Sequence, residues 1–251
     1  MKATAFEFRL RVWLMVAVIF IGFLAPWIEW LHLGTRTMGT RTTTWLWLGF
    51  QAGSLGLSST AGIQLVTALS IVVAALAAII RIWGTAYLGT ATVNNAQMKA
   101  GAVMADGPYR HVRNPLYLGS FLMVAVIAVL MPPSGALFTL IVLGLFLLRL
   151  ILGEEAFLAP RLGEPYLAYK RAVPRLFPSL RPRVPASGQR ANWGRAILSE
   201  ITPLGVLLSF AAFSWQYNSF LLTRCILISF GISIVVKALI APRQESPQAA
   251  A

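Results

Sequence analysis

Residues 115–152 read PLYLGSFLMVAVIAVLMPPSGALFTLIVLGLFLLRLIL. Two apolar runs, 116–131 and 136–152, flank Pro132-Pro133-Ser134-Gly135, a dense turn signal. A bilayer core about 30 Å thick takes about 20 apolar residues as helix. The stretch therefore reads as two membrane-crossing helices folded into a tight hairpin.

The whole chain supports lipid as its solvent. Of 251 residues, 57% are hydrophobic and 12% charged, against about 25% charged in an average soluble domain. Disorder, collagen and coiled coil are excluded by the same figures. A single cysteine, Cys225, and two histidines, His32 and His111, point away from a disulfide framework and from any metal centre. Four further apolar runs, 12–28, 62–83, 197–215 and 220–239, complete an all-α, polytopic protein of about six transmembrane helices, the hairpin joining the third and fourth. The first run follows Lys2, Arg9 and Arg11. It is followed by Ala25-Pro26-Trp27 rather than a small-x-small cleavage site, so it reads as a retained anchor and not a signal peptide.

Net charge is +13. In a membrane protein this reads as cytoplasmic loops facing anionic headgroups, with no nucleic-acid partner. With the N-terminus inside, 18 of the 21 Lys and Arg residues fall on inner segments, which predicts both termini in the cytoplasm. Trp27, Trp30, Trp45 and Trp47 read as an interfacial aromatic belt. The expected organisation is an anchor helix and outer loop over 1–60, a core over 61–180, and a basic linker with two added helices over 181–251. The linker itself is 181–196, and 244–251 reads as a frayed tail.

Chemistry concentrates in two places. Asp106-Gly-Pro-Tyr-Arg-His-Val-Arg-Asn-Pro-Leu-Tyr-Leu-Gly119 leads into the third span. Pro115 can open that helix, and its first N–H groups, beside Arg113 and Asn114, would suit a carboxylate or phosphate. The alternative is a basic loop touching lipid. After the fourth span come Glu154 and Glu155, with Arg149 five residues before Glu154. Adjacent carboxylates beside a span are costly unless paired or functional. On an ideal helix Arg149 and Glu154 point about 140° apart, so a snorkelling arginine beside a solvated acid pair is the competing reading. Both clusters lie on one side, and the hairpin makes their helix ends neighbours, so they can converge on one cytoplasm-facing cavity.

The ordered set Gly107-Pro-Tyr-x-x-x-Arg-Asn-Pro-x-Tyr-x-Gly119, then Glu154-Glu-x-x-Leu158, Gly163-x-x-Tyr-x-x-Tyr169 and Val173-Pro-Arg-Leu-Phe-Pro178 resembles the isoprenylcysteine carboxyl methyltransferase and phospholipid methyltransferase superfamily of integral-membrane enzymes. Trp83-x-x-x-Tyr87-Leu-Gly89 is similar to that family's approach to the first motif. The resemblance implies S-adenosylmethionine as cofactor. It places Tyr87, Tyr109, His111, Arg113, Asn114, Pro115, Tyr117 and Gly119 about it, with Tyr166 and Tyr169 closing the other side. Arg149, Glu154 and Glu155 become the catalytic candidates: Arg149 to hold an acidic acceptor, a glutamate to take a proton or order the pocket. The implied acceptor is hydrophobic, a prenylcysteine carboxylate, phospholipid amine or thiol drawn from among membrane lipids. Asn114 stands where the isoprenylcysteine branch has histidine, which favours the broader phospholipid-type members. A membrane sterol reductase using NADPH, or a non-catalytic partner on the same core, are the other readings.

Overall fold

The computed structural model describes residues 3–24, 42–88 and 105–240. Among these every regular element is helical: α1 (Ala5–Arg9), α2 (Arg11–Leu24), α3 (Thr44–Gln51), α4 (Ser59–Leu88), α5 (Pro115–Ala128), α6 (Pro133–Ala172), α7 (Trp193–Ser199), α8 (Ile201–Phe213) and α9 (Ser219–Ile240). The all-α, membrane-type fold is as expected. Among the described residues three helices are long and apolar enough to cross a bilayer: α4, α6 and the Ser219–Leu239 part of α9. The fifth expected span is broken, since α7 meets the continuation Ile201–Gln216 at 69°. As one bent crossing this pair makes a fourth. Helix α5 has 14 residues, short of the roughly 20 that a crossing needs, and the described part of α2 also has 14.

The hairpin forms as its sequence predicts. α5 ends at Ala128, Pro132 precedes α6, and Pro133 occupies its first turn, where a missing N–H costs nothing. α6 runs past the expected boundary at 152. Its ladder breaks at Gly163 (φ 60°, ψ −147°), a conformation that glycine reaches without a Cβ penalty. Pro165 two residues on would collide with an uninterrupted helix. By helical rise Glu155 lies about 33 Å from Pro133. That is close to the thickness of a hydrocarbon core.

The segment between the first two spans is not an interfacial belt at Trp45. It folds as α3, and Trp45 is buried, its Nε1 donating to Thr67 Oγ1 at 3.0 Å. Thr44 N and Trp45 N donate to the carbonyls of Met131 and Val129, both at 2.8 Å. The first donors of α3 and the last acceptors of the α5 turn satisfy each other, as buried helix ends require. Trp27, Trp30, the 25–27 triplet and the 244–251 tail lie outside the described residues.

One apolar core joins α3, α4, α5 and the C-terminal helices through Trp45, Ala74, Val126, Met131, Phe210 and Leu222. A second joins α1, α5 and α6 through Phe8, Val124, Leu143, Leu147 and Leu150. The C-terminal helices are also tied in by charge. Arg81 of α4 holds Glu200, at the α7–α8 break, through Nε–Oε2 at 2.7 Å and Nη2–Oε1 at 3.0 Å. Thr85 Oγ1 donates to the same carboxylate at 2.7 Å, and Arg81 Nη1 reaches Ser120 Oγ at 2.6 Å. Glu200 is 1% exposed. An acid so buried needs such partners.

Candidate active site

The loop before α5 is shaped by a glycine. Gly107 has φ +54°, and a Cβ there would lie 2.3 Å from the Tyr87 ring and 3.0 Å from Trp83 Nε1. Tyr87 thus backs the loop. Residues Gly107–Arg110 make one 3-10 turn, which drops Tyr109 into the interior. Its hydroxyl is buried and has no hydrogen-bond partner among the described residues, nor has Nε of Arg113, whose Nη1 makes only an ion pair, with Glu155. Burial, and then the nearby Glu154 charge, push the Tyr109 hydroxyl well above its ordinary value of 10, so it stays a protonated donor.

A strap after α6 runs along this loop. Arg113 N donates to Pro174 O at 2.9 Å, Ser179 N to His111 O at 2.9 Å and Arg183 N to Arg110 O at 2.8 Å. Side chains reinforce it: Asn114 Nδ2 to Arg175 O at 3.1 Å, Arg110 Nε to Val184 O at 2.9 Å, and His111 Nδ1 against Ser179 O at 2.8 Å. Asp106 ends the strap. Its carboxylate accepts from Ser187 Oγ, from Ser187 N at 2.9 Å, Gly188 N at 3.3 Å and Gln189 N at 3.0 Å. The Ser187 hydroxyl and these backbone donors hold its pKa below the ordinary 3.8. Asn192 N donates to Ala86 O at 2.8 Å. Residues 181–196, expected as a linker, are therefore fastened to the core over much of their length.

The two acids take different partners. Glu155 is buried among three cations: Arg175 donates Nε to Oε1 at 3.0 Å and Nη2 to Oε2 at 2.9 Å, Arg113 Nη1 stands 3.3 Å from Oε1, and Lys170 Nζ 3.5 Å from Oε2. The bond to Glu155 raises the Arg175 pKa in turn. Glu154 instead receives the Tyr117 hydroxyl at Oε2, 3.0 Å away, with Arg11 of α2 in electrostatic range. Beyond the Gly163 break, Tyr166 and Tyr169 pack with Val173, and Tyr169 donates its hydroxyl to Tyr109 O at 2.8 Å. The start of α5 and the acid-bearing part of α6 do meet.

Residues 57–164 match the phospholipid methyltransferase family. The match covers less than half of the chain. The resemblance read from the motifs is borne out across it, because the family sits within the isoprenylcysteine and phospholipid methyltransferase superfamily of membrane proteins. With its apolar helices, the chain is an integral-membrane protein that is similar over this segment to phospholipid methyltransferases. No curated protein and no solved structure matches it.

The phospholipid methyltransferase segment holds Tyr87, Tyr109, Arg113, Tyr117, Glu154 and Glu155. It stops one residue beyond Gly163, short of Tyr166, Tyr169 and the strap. Other expected residues turn elsewhere. Arg149 Nη2 pairs with Glu7 of α1 at 2.9 Å, away from the Glu154–Glu155 partners, in keeping with the helical angle between them. Gly119 faces α4, where a Cβ would meet Arg81 Cγ at 2.5 Å, and Pro115 lies against Gly84. Asn114 and His111 latch the strap. Arg175 was missing from the expected set, although it stands in the Val173-Pro-Arg-Leu-Phe-Pro178 motif.

Proposed function

We propose that the chain is an S-adenosylmethionine-dependent methyltransferase acting on a lipid-like acceptor at the cytoplasmic leaflet, with the cofactor held between the 106–117 loop and the Tyr166–Tyr169 segment. The observation that carries this reading is the set of buried donors without acceptors among the described residues, Tyr109 Oη and Arg113 Nε, beside the Tyr117–Glu154 pair. Such donors suit the carboxylate of an amino-acid-bearing cofactor. When bound, the cofactor would supply a sulfonium methyl for in-line displacement.

The protein's own contribution is positional and electrostatic. Arg113 and Tyr109 would orient an anionic group, and the tyrosines would exclude water, which favours a reaction that cancels charge, as transfer from a sulfonium to a carboxylate or thiolate does. Glu155 would not serve as a base: three cations occupy it, and its task is to hold Arg113 and the strap. Glu154 is the acid better suited to accept a proton from an amine or thiol acceptor, with Tyr117 fixing its orientation. A carboxylate acceptor would need no base. Arg149, paired with Glu7, would steady α1 and α2 against α6.

The test is purified protein with methyl-labelled cofactor and a total lipid extract, asking which species gains label. S-adenosylhomocysteine should raise the melting temperature of the native chain and not that of Arg113→Ala. Stabilisation by NADPH alone would sink the proposal.

A further inference from the structure

The strap carries the two most exposed large apolar side chains among the described residues, Phe177 (88%) and Leu180 (99%). Neither lies on a helix, so neither belongs to an ordinary lipid-facing stripe. They are held out rigidly, because the strap backbone is bonded to the loop on both sides of them, at Arg175 and Ser179 and again at Arg183. Arg181 and Arg183 follow at once and are exposed. Seven Lys and Arg residues and no acid occur between Glu164 and Glu200. The loop that bears the strap opens α5, and Tyr117 in its first turn meets Glu154, which by helical rise lies about 32 Å along α6 from its start, close to one hydrocarbon thickness. Apolar tips followed by arginines at that depth complement an anionic lipid surface, with acyl carbon below and phosphate above.

We infer that residues 176–183 form a leaflet-docking element, in which Phe177 and Leu180 enter the acyl region and Arg181 and Arg183 bind the phosphates of anionic phospholipid. Because the preceding residue, Arg175, grips Glu155, docking also steadies the site. Anionic lipid then acts as a surface, apart from any role as acceptor.

The test uses the full chain with Cys225→Ser and Leu180→Cys, spin-labelled and reconstituted in vesicles of phosphatidylcholine, with and without phosphatidylglycerol. Dissolved oxygen should relax the label more than an aqueous nickel chelate does, and more so in the anionic vesicles. Arg181→Gln and Arg183→Gln should each weaken that preference by about fivefold. A label at Phe177→Cys repeats the measurement should the first variant misfold. A label open to the nickel chelate in both vesicles, or shielded from both agents as in a contact with a second copy, would overturn the inference.

Discussion

Arg175 closes on Glu155 with two parallel hydrogen bonds, 3.0 Å and 2.9 Å, across twenty residues of chain. One end lies on α6 and the other on the strap, so the pair fastens the strap to the acid-bearing helix. Glu155→Gln and Arg175→Gln should each lower the thermal stability of the protein in detergent, and the double variant should lose less than the sum. The expected coupling is about 1–2 kcal/mol, moderated by the partial exposure of Arg175. Arg175→Lys should not restore stability, because an ammonium cannot reproduce a two-point contact. Strictly additive losses in the double-mutant cycle would show that the pair is not coupled.

Tyr117 donates to Glu154 at 3.0 Å. Tyr117→Phe removes one hydrogen bond to a carboxylate, worth about 1.5 kcal/mol. Methyl transfer should fall about tenfold, while the melting temperature stays within a few degrees. Initial rates with labelled cofactor measure the first and thermal unfolding the second. An unchanged rate would remove this pair from the reacting region.

Asp106 carries a depressed pKa because Ser187 and the 187–189 backbone donate to it. A carboxyl with a folded pKa below its unfolded one stabilises fully above the unfolded value, and the contribution fades as pH falls through the folded value. The strap should therefore be secure at neutral pH and loosen below about pH 4. Asp106→Asn should melt earlier at neutral pH and show a smaller further drop on acidification. It should also be cut faster by trypsin after Arg190, since cleavage follows local opening.

Glu200 sits between Arg81 and Thr85 with almost no exposure. Glu200→Ala strands a buried arginine, which costs about 3–5 kcal/mol. A drop of that size in unfolding free energy is expected. Equal stability in the variant would mean that the C-terminal helices are held by apolar packing alone.

The hairpin could be read directly, because Pro132 to Gly135 interrupt an otherwise unbroken apolar run. So could the meeting of the α5 start with Glu154 and Glu155, since a tight hairpin leaves few other arrangements. The strap could not. Residues 174–189 pair through backbone groups in non-helical conformation, and such bonds leave no periodicity in the side chains. Trp45 was misread because a tryptophan near an interface and one buried under a partner such as Thr67 look alike in one dimension. The broken fifth crossing was also hidden: Glu200 falls inside the apolar run 197–215, and its partner Arg81 is 119 residues away. Arg149 followed its helical angle, and what it meets there, Glu7, comes from a helix whose packing no local pattern announced.

The break at Gly163 has a practical consequence for dissection. The family match ends at residue 164, while Lys170 and Arg175, two of the three counter-ions of Glu155, come later in the chain. A fragment trimmed to the recognised region would keep Glu155 and lose two of the three cations that neutralise it. A piece that keeps the strap in place must reach at least as far as the residues that Asp106 grips.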